Sequence, residues 1–146
     1  SAPTHIFLQA GVGGLAGAAA AMARKIWGDA PVIVVVEPSH APALHGCIQA
    51  GNFVAAKGPG SAMGRLDCLE ASLIALKGLA KDADVFALIS EEEGQAGADY
   101  AAAHQMESTA SGAAGLAALL ASPAHRAALK LDANSHVLVI LSEGPE

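Results

Sequence analysis

Four short apolar runs, Thr4–Gln9, Val32–Glu37, Asp84–Ile89 and His136–Leu141, decide what this chain can become. Each is rich in Val, Ile, Leu or Phe and lacks polar alternation through its centre. A strand with water on one face alternates apolar and polar residues, whereas a strand covered on both faces stays apolar. Helical patterns separate the runs, at about residues 14–27, 41–50, 66–80, 91–104 and 112–122. Doubly covered strands alternating with helices predict an α/β fold of three layers, a mainly parallel sheet between two layers of helices. At 146 residues the whole chain, 1–146, has the length of a single such domain.

Local signals agree with these boundaries. Ser90 followed by Glu93 is a capping-box arrangement, and Glu91 and Glu92 fall in a first turn, where the helix dipole favours negative charge. Ser111 is expected to cap the helix through Leu116, Leu119 and Leu120, with Pro123 stopping it soon after. Gly28, Asp29 and Pro31 close the first helix and lead into the second strand. Residues 51–64, with Gly51, Gly58, Pro59, Gly60 and Gly64, read as the one long irregular stretch.

Composition excludes several partners. No apolar run reaches the roughly 18 residues of a membrane span without a break. The start, Ser-Ala-Pro-Thr-His, lacks the basic region of a signal peptide and passes at once into an apolar stretch, which reads as a fragment boundary. Net charge is −6 and the eight Lys and Arg are scattered, so nucleic acid is not expected as a partner. Cys47 and Cys68 lack metal-ligand spacing and read as reduced core residues, with cytoplasm as the expected compartment. The six histidines read as surface or satisfied core residues.

Chemistry concentrates in Gly11-Val-Gly-Gly-Leu-Ala-Gly17, set between a strand and a helix. Glycines let the backbone turn tightly and aim several N–H groups at one spot, and the following helix adds its positive end. Phosphate is the natural occupant. Each charge-assisted hydrogen bond contributes about 1.5–3 kcal/mol, so three or four hold a phosphate without Lys or Arg. A side chain at Gly13 is expected to fill the phosphate position. Two ligands compete on this motif. Gly11, Gly13 and Ala16, with Glu37 ending the next strand, fit the dinucleotide fingerprint of a Rossmann-like half-domain. A non-catalytic module binding some other phosphate ligand is also compatible.

Two further segments narrow the choice: Val-Val-Glu37-Pro-Ser-His-Ala41, and the closing Val-Leu-Val-Ile-Leu-Ser142-Glu-Gly144. With Gly11-Val-Gly-Gly-Leu15, in this order and at these separations, they resemble the C-terminal half of fold-type II pyridoxal-phosphate (PLP) enzymes, the group of threonine dehydratase, serine racemase and tryptophan synthase β. The opening Pro3-Thr-His-Ile-Phe-Leu-Gln-Ala10 and the Val at position 12 look most like the diaminopropionate ammonia-lyases. The resemblance implies part of the larger domain of such an enzyme, with PLP as cofactor, no metal and a homodimeric assembly. It implies α,β-elimination on a small amino acid, best 2,3-diaminopropionate giving pyruvate and ammonia, or else threonine or serine.

Residue by residue, it implies that the amides of Gly11, Val12, Gly13, Gly14 and Leu15 cradle the cofactor phosphate and that Ser142 meets the pyridine nitrogen. It also implies that the Schiff-base lysine lies in an N-terminal half outside this chain, since Lys25, Lys57, Lys77, Lys81 and Lys130 all follow the glycine loop. The chain alone is then expected to be inactive. Two departures stand out. Relatives that bind a divalent cation carry an Asp where this chain has Ala43, so Glu37 is expected to be structural. Thr109-Ala-Ser-Gly112 stands where related enzymes have Glu-Pro-Ser-Gly.

Overall fold

Each of the four apolar runs forms a strand in the computed structural model, which describes residues 1–145. The strands are β1 (His5–Gln9), β2 (Val32–Pro38), β3 (Val85–Ile89) and β4 (Val137–Val139). They form one sheet of order β3-β2-β1-β4, parallel at every pairing. His5 stands opposite both Val32 and Val137. β4 is shorter than its apolar run because its ladder to β1 ends at the pair Phe7–Val139. The next carbonyl, Ile140, accepts instead from the Gln9 side chain at 3.0 Å.

Side chains alternate across the sheet. Ile6 and Leu8, with Ile33 and Val35, face one layer, where they meet Ala16, Ala20 and Ala23 of α1 (Gly14–Trp27), Leu44 of α2 (Ala43–Ala50) and Leu79 of α3 (Leu73–Asp82). Phe7, Val34 and Val36 face the other layer, against Met63, Leu66, residues Ala114, Ala117 and Ala118 of α5 (Ala114–Leu120), and Leu129 of α6 (Arg126–Leu129). The expected three-layer α/β arrangement is therefore present. A fully buried Leu, Ile or Phe contributes about 1.5–3 kcal/mol, more than an Ala can. The strands thus supply most of the apolar stabilisation, and the alanine-rich helices supply close fit.

Local departures from expectation have side-chain causes. Residues 64–66 make a 3-10 turn and α3 starts only at Leu73, where Ser72 accepts from the Ala75 amide at 3.3 Å. The irregular stretch therefore runs on to Ser72. It is tied by carboxylates: Glu91 accepts from Ser61 Oγ at 2.8 Å and the Ala62 amide at 2.6 Å, and Asp67 from the Ser61 amide at 2.9 Å. Ser111 does not cap α5. Ala113 holds that position without a side-chain bond, and Ser111 Oγ instead accepts from the Arg65 amide at 3.2 Å. After α5, Ser122–His125 form a second 3-10 turn with Pro123 near its start.

The capping box forms on α4 (Glu91–Ala103): Glu93 N donates to Ser90 Oγ at 3.0 Å, and Ser90 N to Glu93 Oε1 at 2.8 Å. Ser90→Ala should cost about 1 kcal/mol. Thermal unfolding should show that as a midpoint lower by roughly 2–4 °C; an unchanged midpoint would remove the cap from the account. His5 is a satisfied core histidine, with Nε2 2.7 Å from Leu129 O and Nδ1 2.8 Å from Thr4 Oγ1. Both cysteines are free thiols. Among the described residues no helix is long and apolar enough to cross a membrane.

Candidate cofactor site

Strand order dictates where a site can form. The chain runs from β1 to β2 to β3, then returns to place β4 on the other side of β1. β1 and β4 are neighbours where the strand order reverses, and in open α/β sheets a crevice lies there, outside the carboxyl ends of the strands. A cleft of about 350 Å³ lies there, lined by Gly11–Leu15, by Arg65 and Ser111, and by Ser142 and Glu143. The structure thus brings all six residues singled out from sequence, Gly11, Val12, Gly13, Gly14, Leu15 and Ser142, to one cavity.

Gly13 shapes the loop. Its φ of 105° lies in the region that side-chain-bearing residues rarely adopt. A Cβ there would stand 3.0 Å from Ala75 Cβ and 3.1 Å from Leu44 Cδ1. A side chain at position 13 would therefore press into the helical layer and not into the cleft, contrary to the expectation from sequence. At Gly14 a Cβ meets open space.

The helix that follows is left uncapped. α1 has no side-chain cap and no acid in its first turn. Among the described residues, the amides of Gly13, Gly14, Leu15 and Ala16 donate to no backbone carbonyl. Helix starts normally satisfy these groups with a Ser, Thr, Asp or Asn side chain. Left open on a helix of this length, they favour an anion. Cys68 lies beneath the loop, its Sγ 3.3 Å from where a Gly11 Cβ would be. Burial pushes this thiol up, Asp67 and Glu37 push it further, and the Val12 amide opposes them. Cys68 therefore stays a neutral thiol and adds no negative charge beside the loop.

Ser142 is held from two directions. Its amide donates to Gly112 O at 3.2 Å, and its carbonyl accepts from Ser108 Oγ at 2.7 Å. This approach is so close that a Cβ on Gly112 would overlap the Ser142 carbonyl. The segment 108–112 thus serves as a bracket for Ser142. Thr109 Oγ1 also donates to Glu143, the next residue, whose φ of 65° is left-handed. Arg65 pairs with Glu143 at 3.3 Å, but its side chain is 81% exposed, so the pair contributes little.

Glu37 takes no part in the cleft. Its carboxylate is 1% exposed and accepts from the Leu44 amide (Oε2) and the His45 amide (Oε1), each at 2.7 Å, as the cap of α2. These bonds occupy the oxygens that a dinucleotide ribose would need. Desolvation lifts its pKa to about 7 against the pull of the two amides.

A model of the family described as pyridoxal-phosphate dependent enzyme matches residues 1–143. The chain belongs to that family. Its fold is the fold-type II of this family, whose members are PLP-dependent enzymes. The dinucleotide reading of the glycine loop is thereby set aside. Among solved structures, Escherichia coli diaminopropionate ammonia lyase in complex with an aminoacrylate-PLP azomethine reaction intermediate is 27% identical with a TM-score of 0.84; the match covers 99% of this chain and 39% of that one. A threonine deaminase from T.th. is 22% identical at a TM-score of 0.83, covering 99% and 50%. Maize serine racemase is 20% identical at 0.84, covering 99% and 44%. These last two likenesses show the fold. The chain spans half or less of the length of each of these structures. No curated protein matches its sequence.

Among the cleft residues that escaped the sequence reading, four are polar or charged: Gln9, Arg65, Ser111 and Glu143. Gln9 carried a usable signal, an amide that closes the apolar run Ile6–Leu8 directly before the glycine loop. The other three sit on irregular segments whose approach to the cleft is non-local.

Proposed function

We propose that this chain is the cofactor-cradling part of a PLP-dependent ammonia-lyase that eliminates a β leaving group from a small amino acid, with 2,3-diaminopropionate as the favoured substrate. One observation carries the reading: uncapped glycine-loop amides and a serine hydroxyl line a single cleft. The residues suit the cofactor at both of its polar ends. Of the loop Gly11–Leu15, the free amides of Gly13, Gly14 and Leu15 hold the phosphate while that of Val12 faces the Cys68 thiol, and the Ser142 hydroxyl meets the pyridine nitrogen. When bound, PLP supplies an electron sink for the carbanion formed at the substrate α-carbon.

A neutral hydroxyl beside the ring nitrogen moderates that sink more than a carboxylate would. Moderation suits elimination, where the leaving group carries the electron pair away. Among the described residues no lysine lines the cleft, so the cofactor-bearing lysine is assigned to a segment outside them.

In the intact enzyme, Ser142→Ala should keep PLP bound through the phosphate. Elimination should slow roughly tenfold to a hundredfold, the worth of one hydrogen bond to a group whose charge changes, about 1.5–3 kcal/mol. Cofactor content and turnover per bound PLP are the measurements, with diaminopropionate, serine and threonine compared as substrates. Loss of PLP with normal turnover per bound cofactor would contradict these roles.

A further inference from the structure

β1 ends on a buried polar side chain. Gln9 is 3% exposed, and its Nε2 lies 3.0 Å from each of three oxygens: Gly112 O, Ile140 O and Ser142 Oγ. Its Oε1 is buried with no hydrogen-bond partner, packed where a Cβ on Gly115 would stand 3.0 Å away. The two carbonyls determine which way the amide points. Turned over, it would set Oε1 against two oxygens that can only accept. Nε2 must therefore be the atom that faces Ser142.

That arrangement constrains the serine. A hydroxyl has one proton and two lone pairs, and an amide NH2 has no lone pair to offer. The two Nε2 protons serve three oxygens, so one is shared; Ser142 can accept from Gln9 but never donate to it, so its own proton has to point elsewhere, and Ser142 lines the cleft. A serine without such a neighbour could present either its proton or a lone pair to a ligand.

We propose that Gln9 is a positioning residue: it commits the Ser142 hydroxyl to donating into the cleft, so that the site accepts a ring nitrogen without a proton and disfavours a protonated one. The inference rests on the reading that Ser142 meets the pyridine nitrogen. It extends control of the electron sink by one shell, to a residue that is itself paired only to protein. An apolar side chain of similar size would remove the unpaired Oε1, but would strip Ile140 O of its donor and leave Ser142 free to turn.

The test uses the intact holoenzyme carrying PLP labelled with 15N in the ring. The wild-type resonance should be that of an unprotonated, hydrogen-bonded nitrogen over the pH range in which the protein stays folded. Gln9→Met should move it toward the protonated position as pH falls. In a Ser142→Ala background, Gln9→Met should add no further shift, because the two residues act as one unit. A Gln9→Met resonance that coincides with wild type, while Ser142→Ala moves it, overturns the role of Gln9 and leaves the functional reading standing. If Ser142→Ala itself moves nothing, Ser142 does not meet the nitrogen and the functional reading fails as well. Should Gln9→Met not fold, neutron diffraction of the wild-type holoenzyme decides the matter. A deuteron on Ser142 Oγ directed away from Gln9 supports the proposal; one directed at a turned-over Gln9 amide overturns it.

Discussion

Replacing Gly13 by valine should destabilise the fold by about 2–6 kcal/mol, before any question of ligand binding arises. Two penalties combine. A β-branched residue held at a φ of 105° is strained by about 1–3 kcal/mol. Its Cβ must also enter a space where Ala75 and Leu44 already stand 3.0 and 3.1 Å away, and overpacking of this kind costs about 1–3 kcal/mol. For a chain of this length the thermal midpoint should fall by roughly 10 °C. Gly14→Val makes the contrasting variant. Its Cβ meets open space, so the midpoint should stay near wild type while PLP affinity of the intact enzyme drops. An unchanged midpoint in Gly13→Val would refute the packing argument. Full cofactor occupancy in Gly14→Val would count against the phosphate cradle.

The contrast bears on how much was legible in the sequence. The motif Gly11–Leu15 marked a loop that lines the cleft, because a tight strand-to-helix turn needs glycines at fixed positions and the chain displays them contiguously. It did not reveal which glycine is hemmed in by the fold and which faces open space. That depends on Leu44 and Ala75, which approach Gly13 only after α2 and α3 dock on the same face. The strands were legible for a simpler reason. Burial on both faces leaves an unbroken apolar run, and Ile6, Phe7 and Leu8 need no partner's identity to be read as one.

The end of β4 was not legible, since the bond from Gln9 to Ile140 O joins residues from opposite ends of the chain. Ser111 misled for a related reason. A serine ahead of an apolar helical pattern is a standard cap signal, yet the Arg65 amide claims its hydroxyl. Glu91 and Asp67 likewise hold the 58–68 region through side-chain bonds that no periodicity records. Motifs whose atoms act within a few residues survive in one dimension; brackets such as Ser108–Ser142 and Gln9–Ser142 do not.

The protein should be more stable at pH 5 than at pH 8, and Glu37 should be the reason. Its carboxyl group is buried beside Leu44 at the start of α2, and desolvation raises its pKa from 4.5 to about 7. The amides of Leu44 and His45 and the helix dipole favour the charged form but do not offset the loss of water. Between about pH 4.5 and about pH 7 the folded protein keeps a proton that the unfolded chain has released, so stability declines as pH rises through that window. Below it the full contribution is present, and above it the decline levels off. At 1.36 kcal/mol per unit, a shift from 4.5 to about 7 makes the total on the order of 3 kcal/mol.

Denaturant unfolding of wild type and Glu37→Gln at steps across this range isolates the effect, because titrations elsewhere cancel in the difference. The variant should be less stable at pH 5, since its NH2 must face either the Leu44 or the His45 amide, and donors do not pair. Its curve should nevertheless run flatter than wild type, so that the two converge as pH rises. Parallel curves would mean that the two amides hold Glu37 ionised throughout. In that case its negative charge would already act at pH 5 on Cys68, whose thiol lies against the glycine loop.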